Sequence, residues 1–259
     1  MRGGRVVASF PWLGPDDYYE FPPPEAATGE GIVGVGGNLS PGMLLSAYRQ
    51  GVFPWFNPED PILWWSPDPR FVIFFEEVHV SRSMSRTLRR GEFRLTMDED
   101  FAGVIRGCAS TPRPGQRGTW ITGDMEQAYV RIHELGFAHS CEAWRGGELV
   151  GGIYGVALGR VFFGESMFSH ASNSSKAALI TLCRFLDAHG FHFMDAQLHT
   201  PHVERMGGRE VPRSDFLRRL ERGLALPTLR GSWSAIFAQW RASASSREDG
   251  RACEDDADQ

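Results

Sequence analysis

The sequence predicts an α+β protein in which helices cover a mostly antiparallel sheet. Two observations carry this prediction: apolar residues recur at helical spacing in several segments, and the period switches to two between residues 139 and 168. The 259 residues, of which 42% are hydrophobic and 23% charged, have the composition of a globular protein with a real core.

The first predicted helix begins after Ser40, a favourable N-cap, with Pro41 at the first helical position, and ends at Gly51. The next segment, GVFPWFNPEDPILWWSPDPRF, contains five prolines and three tryptophans. Because proline removes a backbone donor, we expect a rigid, irregular segment that forms a linker or a site wall, followed by a buried strand over 71–75.

Three helices are predicted in the next part of the chain. A basic one covers 81–90, a second begins at Asp98 as N-cap, and a third is capped by Thr122 and ends near Leu135. Strands then follow at 139–144, 149–158 and 161–168, with Gly-rich hairpin turns between them. A helix over 174–189, a strand over 191–198 and a basic helix from Ser214 complete the body, which is the order expected of an α+β domain.

Cofactor and metal signals are weak. The four cysteines form no CxxC pair, and His199 and His202 suggest no third ligand, so we expect neither a metal nor a disulfide framework. No P-loop or dinucleotide fingerprint is found.

The N-terminus lacks the apolar core of a signal peptide, and no run approaches the roughly 18 apolar residues of a membrane span, so we expect a cytoplasmic protein without a membrane partner.

Several polar or aromatic side chains stand out as functional candidates. Glu165 follows apolar residues on a predicted strand, where a carboxylate is costly without a partner. Asp195 and Gln197 are two apart on another strand, so they share a face and could hold an amine. Trp55 and Trp120 could stack on nucleobases, although core packing is the usual role of a single tryptophan.

Four segments together resemble the leucyl/phenylalanyl-tRNA–protein transferases. They are GVFPWFNPEDPILWWSPDPR, GTWITGDMEQAYVRIHELGFAHSCEAW, ELVGGIYGVALGRVFFGESMFSHASNSSKAAL and DAQLHTPHVERMGG with EVPR. The resemblance extends from about residue 34 to about residue 219, and the tryptophan-proline segment and GESMFS are its most specific parts.

The resemblance implies a small N-terminal α+β domain over 1–68 and a catalytic domain over 69–240 similar to the GCN5-type N-acetyltransferase fold. Residues 241–259, rich in Asp and Glu, are expected to form an acidic disordered tail. The implied enzyme moves Leu or Phe, and less well Met, from aminoacyl-tRNA to the α-amine of proteins beginning with Arg or Lys. The product is marked for N-end rule degradation. No cofactor is implied, and we expect a monomer.

The resemblance also implies the site. Gln197, Asp195 and Glu165 fall at the catalytic centre, with Gln197 orienting the attacking amine and Asp195 polarising it or relaying its proton. The implied substrate-binding residues are Trp55 and Trp120 at the terminal adenosine, Ile153, Phe162, Met167 and Leu182 at the amino-acid side chain, and also Tyr48 and Thr200.

Two departures from the family pattern concern specificity. Thr200 replaces an amide that touches the acceptor, and Ile153 stands where Met is common, which could change the preference between Leu and Phe.

Two other functions remain open from the residues alone. The order of meander, helix and strand would suit an acyl-CoA-dependent N-acetyltransferase, and the arginine-rich helices with tryptophans would suit a non-catalytic RNA-binding protein.

Overall fold

The computed structural model describes residues 11–111 and 120–243, and it confirms an α+β fold. Within these two ranges, ten strands form two sheets. The strands are β1 (Ile32–Val35), β2 (Phe53–Pro54), β3 (Leu63–Trp65), β4 (Arg70–Ile73), β5 (Arg94–Met97), β6 (Ala138–Arg145), β7 (Glu148–Leu158), β8 (Val161–Ser169), β9 (Phe193–Gln197) and β10 (Arg209–Val211).

The larger sheet has seven strands in the order β10-β4-β9-β8-β7-β6-β5. All pairings are antiparallel except the parallel pair β8 and β9, because the chain crosses from one to the other through a helix. The sheet is therefore mixed but mostly antiparallel, as expected. Its centre is formed by β9 and β8, the strands that carry the predicted catalytic residues.

The smaller sheet corrects the prediction for the tryptophan-proline segment. Residues 51–71 were expected to be irregular, but β3 lies between β1 and β2 in a three-stranded antiparallel sheet. Pro58, Pro61 and Pro67 all fall in the connections, so the backbone donors of β3 remain available for pairing.

Seven helices flank the sheets in the described ranges, with a further helical segment over 234–243. They are α1 (Pro41–Arg49), α2 (Arg82–Arg89), α3 (Phe101–Ser110), α4 (Gly123–Glu134), α5 (Ser174–Ala188), α6 (Pro201–Glu204) and α7 (Arg213–Leu224). Side chains of α1, α3, α4 and α7 belong to one buried cluster, and those of α5 and the 234–243 segment to another. Phe163 belongs to the first cluster and Phe162 to the second, as the alternation of β8 requires.

One predicted cap is wrong. Helix α3, which was expected to begin with Asp98 as its N-cap, begins two residues later. Its N-cap is Asp100, which accepts a hydrogen bond from the Gly103 amide. Asp98 instead adopts a positive φ of 55° and accepts hydrogen bonds from the Ser140 and Trp233 amides. The Thr122 cap is confirmed by its hydrogen bond from the Met125 amide.

Short elements without a clear period were not predicted from the sequence, namely β1, β5, β10, α6 and the helix over 234–243. The predicted acidic tail lies outside the described residues from position 244 onward, while residues 241–243 end the last helix. Within the described ranges, no helix combines the length and apolar character that crossing a bilayer requires.

Candidate active site

Glu165 occupies a β-bulge in the middle of β8. Tyr154 of β7 faces Ser166 and the next residue, Gly155, faces Gly164, so Glu165 has no partner across the ladder. A Cβ at Gly155 would lie 2.1 Å from the Phe163 carbonyl oxygen, so glycine allows this close approach. Alternation from Phe163 places Glu165 on the face covered by α1 and α4, and beyond the bulge Met167 packs against the other cluster.

Three side chains donate hydrogen bonds to the Glu165 carboxylate. Tyr48 Oη and Gln197 Nε2 each lie 2.7 Å from Oε1, and Tyr129 Oη lies 2.7 Å from Oε2. The two tyrosine hydroxyls are also in contact with each other. Because each carboxylate oxygen has two lone pairs, the described residues leave one acceptor position open on Oε2.

Burial raises the pKa of Glu165 to about 7, although the hydrogen bonds from Tyr129, Tyr48 and Gln197 oppose this rise. Removal from water penalises the charged carboxylate more than the three donors stabilise it. Burial also raises the pKa of both tyrosines well above the usual value, so they remain protonated donors. Glu165 therefore changes charge near neutral pH.

Gln197 ends β9 in a left-handed conformation with φ 65°. This conformation is unfavourable for a non-glycine residue and costs on the order of 1–3 kcal/mol unless the surroundings enforce it. Here the Gln197 amide donates to Asp195 Oδ1 at 2.9 Å, while its side chain donates to Glu165. Asp195 thus contacts the backbone of Gln197 directly.

Asp195 forms a buried ion pair. Arg70 Nε lies 2.8 Å from Oδ1 and Nη2 lies 2.7 Å from Oδ2, and neither side chain is exposed. Such a two-bond contact fixes both planar groups. The structure therefore brings Gln197 to Glu165, but it directs the Asp195 carboxylate to Arg70.

An apolar cavity of about 550 Å³ opens beside Glu165. Its wall is mostly aliphatic and thioether carbon, and it includes Ile73, Ile153, Met167, Leu179, Met194 and Leu198, with Thr200 and His202 at one side. A cavity of this size and character suits a small hydrophobic group held next to one polar anchor.

Of the four residues predicted to bind the amino-acid side chain, Ile153 and Met167 line this cavity. Thr200, predicted near the acceptor, also lines it and caps α6 by accepting from the Val203 amide. Phe162 and Leu182 lie fully buried in the second hydrophobic cluster, behind that wall.

Trp55 and Trp120 are both half-buried and pack against the first hydrophobic cluster. The rings of Trp55 and Trp65 are tilted, with centroids 5.5 Å apart, and Trp65 Nε1 donates to the Trp55 carbonyl oxygen. Each predicted nucleobase-binding tryptophan therefore keeps part of its surface exposed.

Sequence reasoning assigned no site role to Tyr129 and Arg70, which the structure places in the hydrogen-bond network. Tyr129 lies at the spacing of the core-facing residues of α4, so the sequence carries no signal of its contact with Glu165. Arg70 follows a proline-rich segment, where an arginine would ordinarily be exposed. Among the described residues, no group of three His, Cys, Asp or Glu side chains is arranged to bind a metal.

Family models and curated relatives agree on one family. The family described as leucyl/phenylalanyl-tRNA protein transferase matches residues 72–221, and its N-terminal domain matches residues 37–68. A protein of Anaeromyxobacter sp. (strain K) with the name leucyl/phenylalanyl-tRNA–protein transferase is 55% identical over 213 residues, 82% of this chain and 91% of its own. A protein of the same name from Myxococcus xanthus is 51% identical over 214 residues, 83% of this chain and 92% of its own.

Solved structures give a weaker comparison. L-PGS from Bacillus licheniformis matches 64% of this chain and 58% of its own with 13% identity and a TM-score of 0.35. This similarity is too low to support the predicted GCN5-type fold, which stays a prediction. The family matches span both the segment that contains β3 and the strands that carry Glu165 and Gln197. The chain therefore belongs to the leucyl/phenylalanyl-tRNA–protein transferase family.

Proposed function

We propose that this protein transfers Leu or Phe, and less well Met, from aminoacyl-tRNA to the α-amine of proteins that begin with Arg or Lys. The observation that carries the proposal is the partly desolvated Glu165 carboxylate, which stands beside an apolar cavity and has one acceptor position open. The family supplies the reaction class, and the site supplies a hydrophobic pocket next to a proton acceptor.

The reaction is aminolysis of an ester. The amine nitrogen attacks the ester carbonyl carbon, a C–N bond forms, and the C–O bond to the tRNA ribose breaks. The ester is already activated, so the site chiefly aligns the two substrates and removes a proton from the amine.

Glu165 is the proton acceptor in this proposal. An α-amine has a pKa of about 7.7–8.0, close to the value of about 7 to which burial raises that of Glu165. The α-ammonium first loses one proton to solvent, and as the C–N bond forms a second nitrogen proton would move to Oε2, the oxygen with an open position, and then to the departing ribose oxygen. Gln197 orients the amine, and Asp195 acts through its bond to the Gln197 backbone because its own carboxylate is occupied by Arg70.

The aminoacyl side chain would occupy the apolar cavity. Ile153 and Met167 provide a wall without hydrogen-bond donors, so the pocket selects mainly by size and apolar character. Phe162 and Leu182 would set its volume from the layer behind. Thr200, at the side of the cavity, would contact the acceptor.

The tRNA would bind through its single-stranded 3′ end. Trp55 and Trp120 offer partly exposed rings for the terminal adenosine, and base stacking on an aromatic ring contributes about 1–3 kcal/mol per base. Arginine-rich surfaces such as α2 would contact backbone phosphates.

The test is transfer of labelled Leu, Phe and Met from charged tRNA to a peptide that begins with Arg, compared with the same peptide beginning with Ala. We expect transfer to the Arg peptide and a large loss in Glu165→Gln. If the wild type transfers nothing at saturating tRNA, the proposal is wrong. Acetyl-CoA turnover and tRNA binding without transfer would then test the two alternative functions.

The cellular role follows from the same proposal. Addition of a bulky apolar residue would mark acceptor proteins for N-end rule degradation in the cytoplasm, with the enzyme acting as a monomer. Light scattering tests whether the enzyme is a monomer. The half-life of a reporter protein that begins with Arg, measured in cells with and without the gene, tests whether the transfer leads to degradation.

A further inference from the structure

Arg70 contacts four parts of the fold around the active site. Its guanidinium binds both oxygens of Asp195, and its third nitrogen, Nη1, donates to the Gly51 carbonyl oxygen at 3.1 Å. The guanidinium carbon also lies 4.8 Å from the centroid of the Phe53 ring and 4.5 Å from that of Phe216. Arg70 is therefore held by β2, β9, α7 and the turn after α1.

Two of these contacts lead to Glu165. The guanidinium binds Asp195, and Asp195 Oδ1 accepts from the Gln197 backbone amide. The side-chain Nε2 of Gln197 in turn donates to Glu165. Gly51 follows the helix that carries Tyr48, the donor that shares Oε1 with Gln197. Two of the three donors to Glu165 are thus connected to the same buried cation by short chains of hydrogen bonds or backbone.

We infer that Arg70 is a positioning residue for the transfer reaction: it orients Gln197 through Asp195, and Tyr48 through the turn at Gly51, so that both donate to Glu165. This inference rests on the proposed function. Arg70 touches neither substrate in this inference, because its side chain is fully buried.

The alternative is that the ion pair serves stability alone. A buried ion pair is weak support for stability, since replacing both partners with apolar residues is often neutral, whereas removing one partner leaves an unpaired charge. The two roles therefore separate in a double variant, Arg70→Met with Asp195→Asn, which removes both charges together while the asparagine oxygen can still accept from the Gln197 amide. A structural role predicts normal catalysis once this variant folds, and a positioning role predicts slow catalysis.

The experiment measures kcat and KM for leucyl-tRNA and the Arg peptide in the wild type, the double variant and Arg70→Lys. Lysine keeps the charge but loses the planar fork. We expect kcat to fall about 10- to 100-fold in both variants, because small misplacements of reacting groups have effects of this size. KM for leucyl-tRNA should change less than about threefold. The control is Arg94→Met, which removes an exposed two-bond pair with Glu99 and should keep the wild-type kcat.

A second readout does not depend on activity. Carbon-13 NMR titration of the Glu165 carboxyl group reports its pKa in wild type and in Arg70→Lys. Misaligned Gln197 and Tyr48 donors stabilise the carboxylate less, so the pKa should rise in the variant while that of exposed carboxyl groups stays constant.

The outcomes separate the two ideas. A folded double variant with wild-type kcat, or an unchanged Glu165 titration together with unchanged kcat in Arg70→Lys, overturns the inference. If the double variant does not fold, Arg70→Lys decides by the same two measurements. If the wild type transfers nothing, the proposed function fails, and the titration still tests whether Arg70 positions the donors.

Discussion

Glu165→Gln should change how the stability of the protein depends on pH. In the folded protein the carboxyl group has a pKa of about 7, whereas the ordinary value is 4.5. Between these two values the folded state binds a proton that the unfolded state does not bind. The free energy of unfolding therefore falls as pH rises from about 4.5 to about 7, and it is flat outside that window for this group.

The size of the effect follows from the same two values. At 1.36 kcal/mol for each pKa unit, the gap corresponds to about 3 kcal/mol. Glu165 faces the cavity and is partly exposed, so solvent screens part of this energy, and we expect about 1–3 kcal/mol. Glutamine is neutral throughout, so the variant lacks this loss and should gain stability relative to the wild type as pH rises.

The assay is urea unfolding of both proteins at pH 5 and pH 8. The difference in free energy of unfolding between variant and wild type should be larger at pH 8 by about 1–3 kcal/mol. Comparing the two pH values within each protein cancels the constant cost of rearranging the hydrogen bonds from Tyr48 and Tyr129. If this difference changes by less than about 0.5 kcal/mol between pH 5 and pH 8, burial does not raise the pKa of Glu165 as we infer.

Three further changes test other parts of the site. Tyr129→Phe removes the only described donor to Oε2, so the pKa of Glu165 should rise above about 7 and the pH profile of transfer should move upward; an unmoved profile contradicts this. Trp55→Ala should weaken binding of leucyl-tRNA by about 1–3 kcal/mol without changing kcat at saturation, and equal tRNA binding in a filter assay would exclude a stacking role. Gly155→Ala should lower the melting temperature and reduce transfer, because its Cβ would lie 2.1 Å from the Phe163 carbonyl oxygen; a wild-type melting curve would refute the need for glycine at this bulge.

The local chemistry of several elements could be predicted from the sequence alone. Thr122 caps α4 as expected because a side-chain hydroxyl near free helix amides acts over a few residues. The meander of β6, β7 and β8 was predicted because strict alternation and Gly-containing turns are local signals. Glu165 and Gln197 also stood out, since a polar side chain in an apolar strand is visible without any coordinates.

The connections between distant residues were decided only by the tertiary structure. Asp98 satisfies the rules for a cap, but its carboxylate bonds to the Ser140 and Trp233 amides, which are remote in sequence. Arg70 and Asp195 are 125 positions apart, and their pairing follows from the antiparallel contact between β4 and β9.

The sequence therefore determined most of the longer elements, the family and the two side chains at the centre of the site. The structure decided which groups meet: Tyr48, Tyr129 and Gln197 at Glu165, and Arg70 at Asp195. The physical reason is range. Caps, turns and periodicity act within a few residues, whereas ion pairs and pKa shifts depend on burial and on neighbours that only the packing of the chain supplies.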